Sequence, residues 1–136
     1  MAFGIFLATD ATTMPTALEP FHARGFRFAC AIVRLYMRLI QLPDLPPHLA
    51  RQVLRAGTSI GANLEEARGA QSRRDVTAKV SIALKETRET GYWLRLLHAT
   101  QLADSTLLEP AIAEVGELTA ILTVTRRKLS LPLDNG

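Results

Sequence analysis

From about Phe26 to Leu129, apolar residues recur at spacings of three and four, and the breaks in that rhythm coincide with residues that stop or start helices. Each unbroken stretch therefore reads as a helix with one face to bury. The first, about Phe26 to Leu42, carries Ala29, Ile32, Val33, Tyr36 and Ile40 on that face. Pro43, Pro46 and Pro47 close it and open the next, because proline is tolerated in a first helical turn and disruptive inside one. A second helix, about Pro47 to Arg68, presents Leu54, Gly57, Ile60, Gly61 and Leu64. Gly69 suits a helix C-cap, and Ser72-Arg73-Arg74-Asp75 has the form of a capping box. The third helix, about Arg73 to Gln101, carries Val76, Val80, Ala83, Leu84, Thr87, Leu94 and Leu97. Asp104 or Ser105 caps a fourth, in which Pro110 fits only in the first turn or at a kink. Val115, Leu118, Ile121, Leu122 and Leu129 continue the stripe, and Arg126, Arg127 and Lys128 complement the dipole at its end. Four helices joined by short connections predict an all-α, antiparallel up-down-up-down four-helix bundle.

At 136 residues the chain suits one core. The bundle domain is read over 23–130, with a flexible arm over 1–22 and a short tail over 131–136, since the arm has prolines and no period. Met1 to Leu7 is apolar but lacks the basic start and the length of a secretory signal, and no run approaches the ~18 to 20 apolar residues of a membrane span. Cys30 is the sole cysteine, so no internal disulfide is available and a cytoplasmic protein is expected. Beside the apolar stripe of the first helix, that thiol reads as inert and buried.

Interior glycines cost a helix about 1 kcal/mol each relative to alanine, and the second helix has two. With Ala56, Ser59 and Ala62 also small, the simplest offset is close approach by another helix. Arg55, Asn63, Glu65 and Glu66 exclude a lipid setting for that contact.

The run Leu54-Arg55-Ala56-Gly57-Thr58-Ser59-Ile60-Gly61-Ala62-Asn63-Leu64-Glu65-Glu66-Ala67, followed by Ser81-Ile82-Ala83-Leu84-Lys85-Glu86 through Leu97, resembles the bacterial four-helix bundle proteins also called 23S rRNA intervening-sequence proteins. The likeness covers about Phe26 to Lys128. It implies protomers that assemble into a ring-like homo-oligomer, typically a pentamer. It also implies kinship with the accessory variability determinant of diversity-generating retroelements, which partners a reverse transcriptase and binds nucleic acid through a basic surface. The family pattern places polar residues at Asn63 and Glu66, and with Ser59, Gly61, Lys85 and Glu89 they form a candidate structural motif. A buried ion pair that fixes helix register accounts for Lys85 and Glu89 better than acid-base chemistry does.

Charge is the remaining signal. Between Phe21 and Ser130 all 16 basic residues remain against 10 acidic ones, a net +6. Such a domain attracts polyanions without specifying which. Arg24, Arg27, Arg34 and Arg38 fall on one stripe of the first helix, and Arg51 and Arg55 stand one turn apart on the second. Like charges at that spacing repel, so either an anionic partner or salt bridges to Glu114 and Glu117 would relieve them. Arg73, Arg74 and Lys79 make a second cluster at a helix start, where cations oppose the dipole.

His22, His48 and His98 have no metal-ligand spacing, and no phosphate loop or nucleophile elbow is present. Neither metal, cofactor nor catalytic residue is expected, and hydrolysis by Glu66 or Glu89 is the weakest reading. Of the adjacent Tyr92 and Trp93, at most one can be central in the protomer, leaving the other for a subunit interface. The sequence thus points to a non-enzymatic oligomer that binds RNA or DNA through phosphates. The alternative is an adaptor whose basic face docks an acidic or reverse-transcriptase-like protein.

Overall fold

In the computed structural model, which describes residues 20–132, α1 (Phe21–Leu39), α2 (Pro47–Arg68), α3 (Arg73–Ala99) and α4 (Ser105–Leu129) follow one another through short turns. No strand occurs among the described residues. α2 packs extensively against both α1 and α3, and α3 against α4, whereas α1 and α4 meet over a much shorter stretch. Ile32, Leu39, Ile60, Leu94, Leu97, Leu108, Leu118 and Leu122 fill the space between them and are almost wholly buried. Thr87 and Thr90 share this interior without stranding their hydroxyls, which donate to the Leu84 and Glu86 carbonyls of their own helix. Most of residues 1–22 and of the tail read from the sequence lie outside the described residues.

α1 begins at Phe21, so Phe21 and His22 are helical and not part of an arm. Pro20 stands extended before it, and its carbonyl accepts the Arg24 N–H at 3.0 Å. The helix stops at Leu39, short of the expected Leu42, because the residue before a proline avoids the helical region and Leu42 precedes Pro43.

Its inward face also differs from the expected one. Phe28, Ile32, Leu35 and Leu39 are buried, while Val33 is 45% and Ile40 42% exposed. Cys30 is half-buried on the outward side. α1 therefore carries two apolar stripes, and packing against α2 selects between them. A Cβ built on Gly61 would lie 2.7 Å from the Gly25 carbonyl oxygen, and one on Gly57 2.8 Å from the Ile32 side chain. The expected close approach is real, and it turns Gly25 and Ile32 toward α2.

The two ends of α3 show how it is delimited. Ser72 accepts the Asp75 N–H at 3.1 Å at the start. At the end, Leu102 N–H donates to the Leu97 carbonyl and Gln101 N–H to that of His98, a Schellman closure in which Gln101 takes φ 57°. α3 thus ends at Ala99 and not at Gln101. Gly69, by contrast, closes α2 with φ −92°, a conformation open to any residue. Pro110 lies in the second turn of α4, beyond the first turn, with both it and Thr106 exposed, so the carbonyl deprived of a donor can reach water.

Candidate nucleic-acid interface

The arginines of α1 and α2 do not form one surface. On α1, Gly25 and Ile32 meet α2, whereas Arg24 and Arg38 project to the α4 side. Arg24 is 8% exposed and donates through Nε to Glu114 at 2.7 Å, with Glu117 taking its Nη2. The hydrogen bond to Glu114 raises the Arg24 pKa against the opposing effect of burial. This guanidinium is committed to tying α1 to α4. Arg34 and Arg38 are exposed and make no ion pair within the described residues. Arg38 overhangs an open groove of about 750 Å³ with His98, Gln101, Asp104 and Ser105. Asp104 holds the helix N-terminus there by accepting the Thr106 N–H, which makes the groove a poor host for an anion. Arg27 is half-buried.

Across the bundle, Arg55 turns to α3. It bonds Glu89, lies 3.5 Å from Glu86, and receives support from Gln52 at 3.1 Å. The Glu86 Oε2 is buried without a hydrogen bond, so Arg55 is the cation that balances it. Trp93 Nε1 donates to the same Glu89 oxygen at 3.3 Å. Glu89 therefore pairs with Arg55 of α2 and not with Lys85, which is exposed and unpaired within the described residues. A neighbouring lysine on the helix surface loses to a guanidinium arriving from the facing helix, which makes a charge-assisted hydrogen bond to Glu89 and stands beside Glu86 as well. Glu66 pairs with Lys79 at 2.5 Å, linking α2 and α3 on an exposed surface and not in the core. Asn63 and Ser59 donate to the Ser59 and Arg55 carbonyls of α2 itself, so neither reaches another helix. Gly61 belongs to the α1 crossing. Trp93 packs half-buried on the core with exposed Tyr92 edge-on at 5.1 Å, so neither aromatic is central.

What sequence reasoning separated, the fold brings together at one end of the bundle. Arg73 donates to the Lys128, Leu129 and Leu131 carbonyls at 3.1 to 3.2 Å, joining the start of α3 to the end of α4. Arg74, Arg127 and Lys128 are exposed there and make no ion pair within the described residues. Arg126 spends its Nε on the Ser81 hydroxyl at 3.0 Å. Asp75 is the acidic residue of the α3 first turn, while Glu65 and Glu66 of α2 are already paired with Arg68 and Lys79. Arg126, Arg127 and Lys128 complement the dipole of their own helix, yet in the fold they also adjoin Arg73. Arg51, on α2, is likewise exposed and unpaired within the described residues, but belongs to neither group.

No group of three His, Cys, Asp or Glu able to hold a metal occurs among the described residues, and no helix of theirs is long and apolar enough to cross a membrane. The family model described as 23S rRNA-intervening sequence protein matches residues 22–124. Among solved structures, a protein of unknown function from the S23 ribosomal protein family of Bacteroides thetaiotaomicron VPI-5482 is 38% identical, with a TM-score of 0.73 over 79% of this chain and 98% of that one. No curated protein matches the chain.

Proposed function

The chain belongs to the 23S rRNA-intervening sequence protein family, and from that premise we propose that it is a non-enzymatic, self-assembling bundle that binds RNA or DNA through phosphates. The observation that carries this reading is the basic end, where Arg73 links α3 to α4 and Arg74, Arg127 and Lys128 are exposed and make no ion pair within the described residues. Unpaired cations brought to one end of a rigid scaffold repel one another, and a polyanion relieves that repulsion while releasing its own counterions. Arg74 also sits in the first turn of α3, where an anion would meet the helix dipole favourably.

The test is capture of a labelled single-stranded RNA 20-mer by the purified protein at low salt. Binding is expected without any second protein, and Arg74→Glu with Arg127→Glu should weaken it at least tenfold while leaving helical content unchanged. Arg51→Glu should have a smaller effect. An acidic protein partner would engage the same cations, and failure to capture RNA or DNA alone would favour that reading.

A further inference from the structure

The other three helices outrun α1 at the end where the cations gather. Arg24, one turn into α1, meets Glu114 and Glu117, so the start of α1 is level with about Ala120 of α4. From there α4 continues to Leu129, about 13 Å further at about 1.5 Å per residue. Gly25 is level with Gly61, which leaves α2 about one turn beyond α1 as well. Arg73 bonds the Lys128 and Leu129 carbonyls, so α3 starts level with the end of α4. The face of α4 that meets Arg24 does not stop where α1 does. Glu117, Ile121, Val124 and Lys128 follow one another on it at spacings of three and four. Val124 is 47% exposed, Ile121 is half-buried, and Lys128 is exposed without an ion pair within the described residues. This uncovered strip of α4 is apolar where α1 begins and basic at its far end.

We infer that residues 10–19 of the same chain, which lie outside the described residues, run along this strip and lay their acidic side chains on the basic end. Position, length and charge agree. The chain enters α1 at the start of the strip, where Pro20 is extended with φ −60° and ψ 146° and so does not prolong the helix. An extended chain advances about 3.3 Å per residue, so Thr16 to Glu19 cover about 13 Å and carry Leu18 past Val124. From Thr16 back to Asp10 is a further reach of about 20 Å, against about 8 to 10 Å between neighbouring helix axes, enough to cross from α4 to Arg74 on α3. Residues 1–19 hold Asp10 and Glu19 and no lysine, arginine or histidine. Leu18 thus covers Val124, and Asp10 settles among Arg74, Arg127 and Lys128. These are the cations assigned above to phosphates, so the segment competes with RNA, a consequence that rests on the nucleic-acid reading.

Zero-length carbodiimide cross-linking of the full chain tests the contact, because Lys79, Lys85 and Lys128 are its only lysines. Peptide mass analysis should find Asp10 or Glu19 joined to Lys128 and neither joined to Lys85, which is exposed midway along α3. Chains labelled with nitrogen-15 and refolded together with unlabelled ones should give no linked pair of mixed mass. Leu18→Gln should remove the link to Lys128. Asp10→Asn with Glu19→Gln should tighten capture of the single-stranded RNA at low salt by about threefold, at unchanged helical content. Absence of the Lys128 link, equal linking to Lys85, or pairs of mixed mass, which would give the strip to the segment of a second copy, would overturn the placement. RNA affinity unmoved by the two substitutions would overturn the competition. If neither the unaltered chain nor the variant captures RNA, the nucleic-acid reading fails and the competition with it, while the cross-link alone decides the placement.

Discussion

Two residues show how much of this bundle depends on single side chains. Arg24 ties α1 to α4 where those helices otherwise touch little. Arg24→Ala should cost about 2 kcal/mol, the range for losing charge-assisted hydrogen bonds, because it strands Glu114, which is only 21% exposed. Glu117→Gln should cost less than about 1 kcal/mol, since Glu117 is 65% exposed. Urea unfolding of the two variants compares these values. The Arg24 pKa is raised in the fold, so its contribution is complete at pH values below the ordinary arginine range and fades only as the pH climbs through the folded value. Arg24 therefore adds no pH dependence near neutrality. Gln101 works in the opposite direction. It occupies a left-handed position that favours glycine, and Gln101→Gly should raise stability by about 1 kcal/mol in the same unfolding measurement.

At the scale of elements, the clearest contrast is between glycines. Gly61→Ala puts a methyl group 2.7 Å from the Gly25 carbonyl oxygen, backbone that cannot swing aside. The α1–α2 crossing must open, at a cost of about 1 to 3 kcal/mol. Gly116→Ala meets open space and should stabilise the protomer by up to about 1 kcal/mol. Thermal unfolding at a concentration below assembly measures both, and equal effects would contradict the packing role given to Gly61.

The existence of four helices was legible because prolines and caps punctuate a strong period. The inward face of α1 was not, because its sequence supports two apolar stripes separated by roughly half a turn. Only the contacts of Gly25 and Ile32 with α2 decide which faces the core. Similarly, Lys85 and Glu89 are one turn apart in sequence, yet Glu89 takes Arg55 from another helix. Local spacing ranks neighbours along a helix and cannot see a competitor arriving from the next one.

For the whole molecule, the family was legible from α2 and α3, whereas the site was legible only in part. Arg34 and Arg38 fall on one stripe of the first helix and Arg51 and Arg55 one turn apart on the second, but Arg38 overhangs the start of α4 while Arg55 points to α3. Charge reversal at Arg55 would set a new carboxylate against Glu86 and Glu89, so it should unfold the α2–α3 contact before it reports on any ligand. The end of the bundle was invisible because α3 starts and α4 stops more than fifty residues apart in sequence, and their arginines meet only through the fold.

RNA affinity followed across salt concentration measures most directly whether these cations contact phosphates. With Arg74, Arg127 and Lys128 each neutralising one phosphate of a single strand, log K should fall against log salt with a slope of about −2, and Arg74→Gln with Arg127→Gln should make it shallower by about 1.4. A slope near zero, or one that these substitutions leave unchanged, would contradict it.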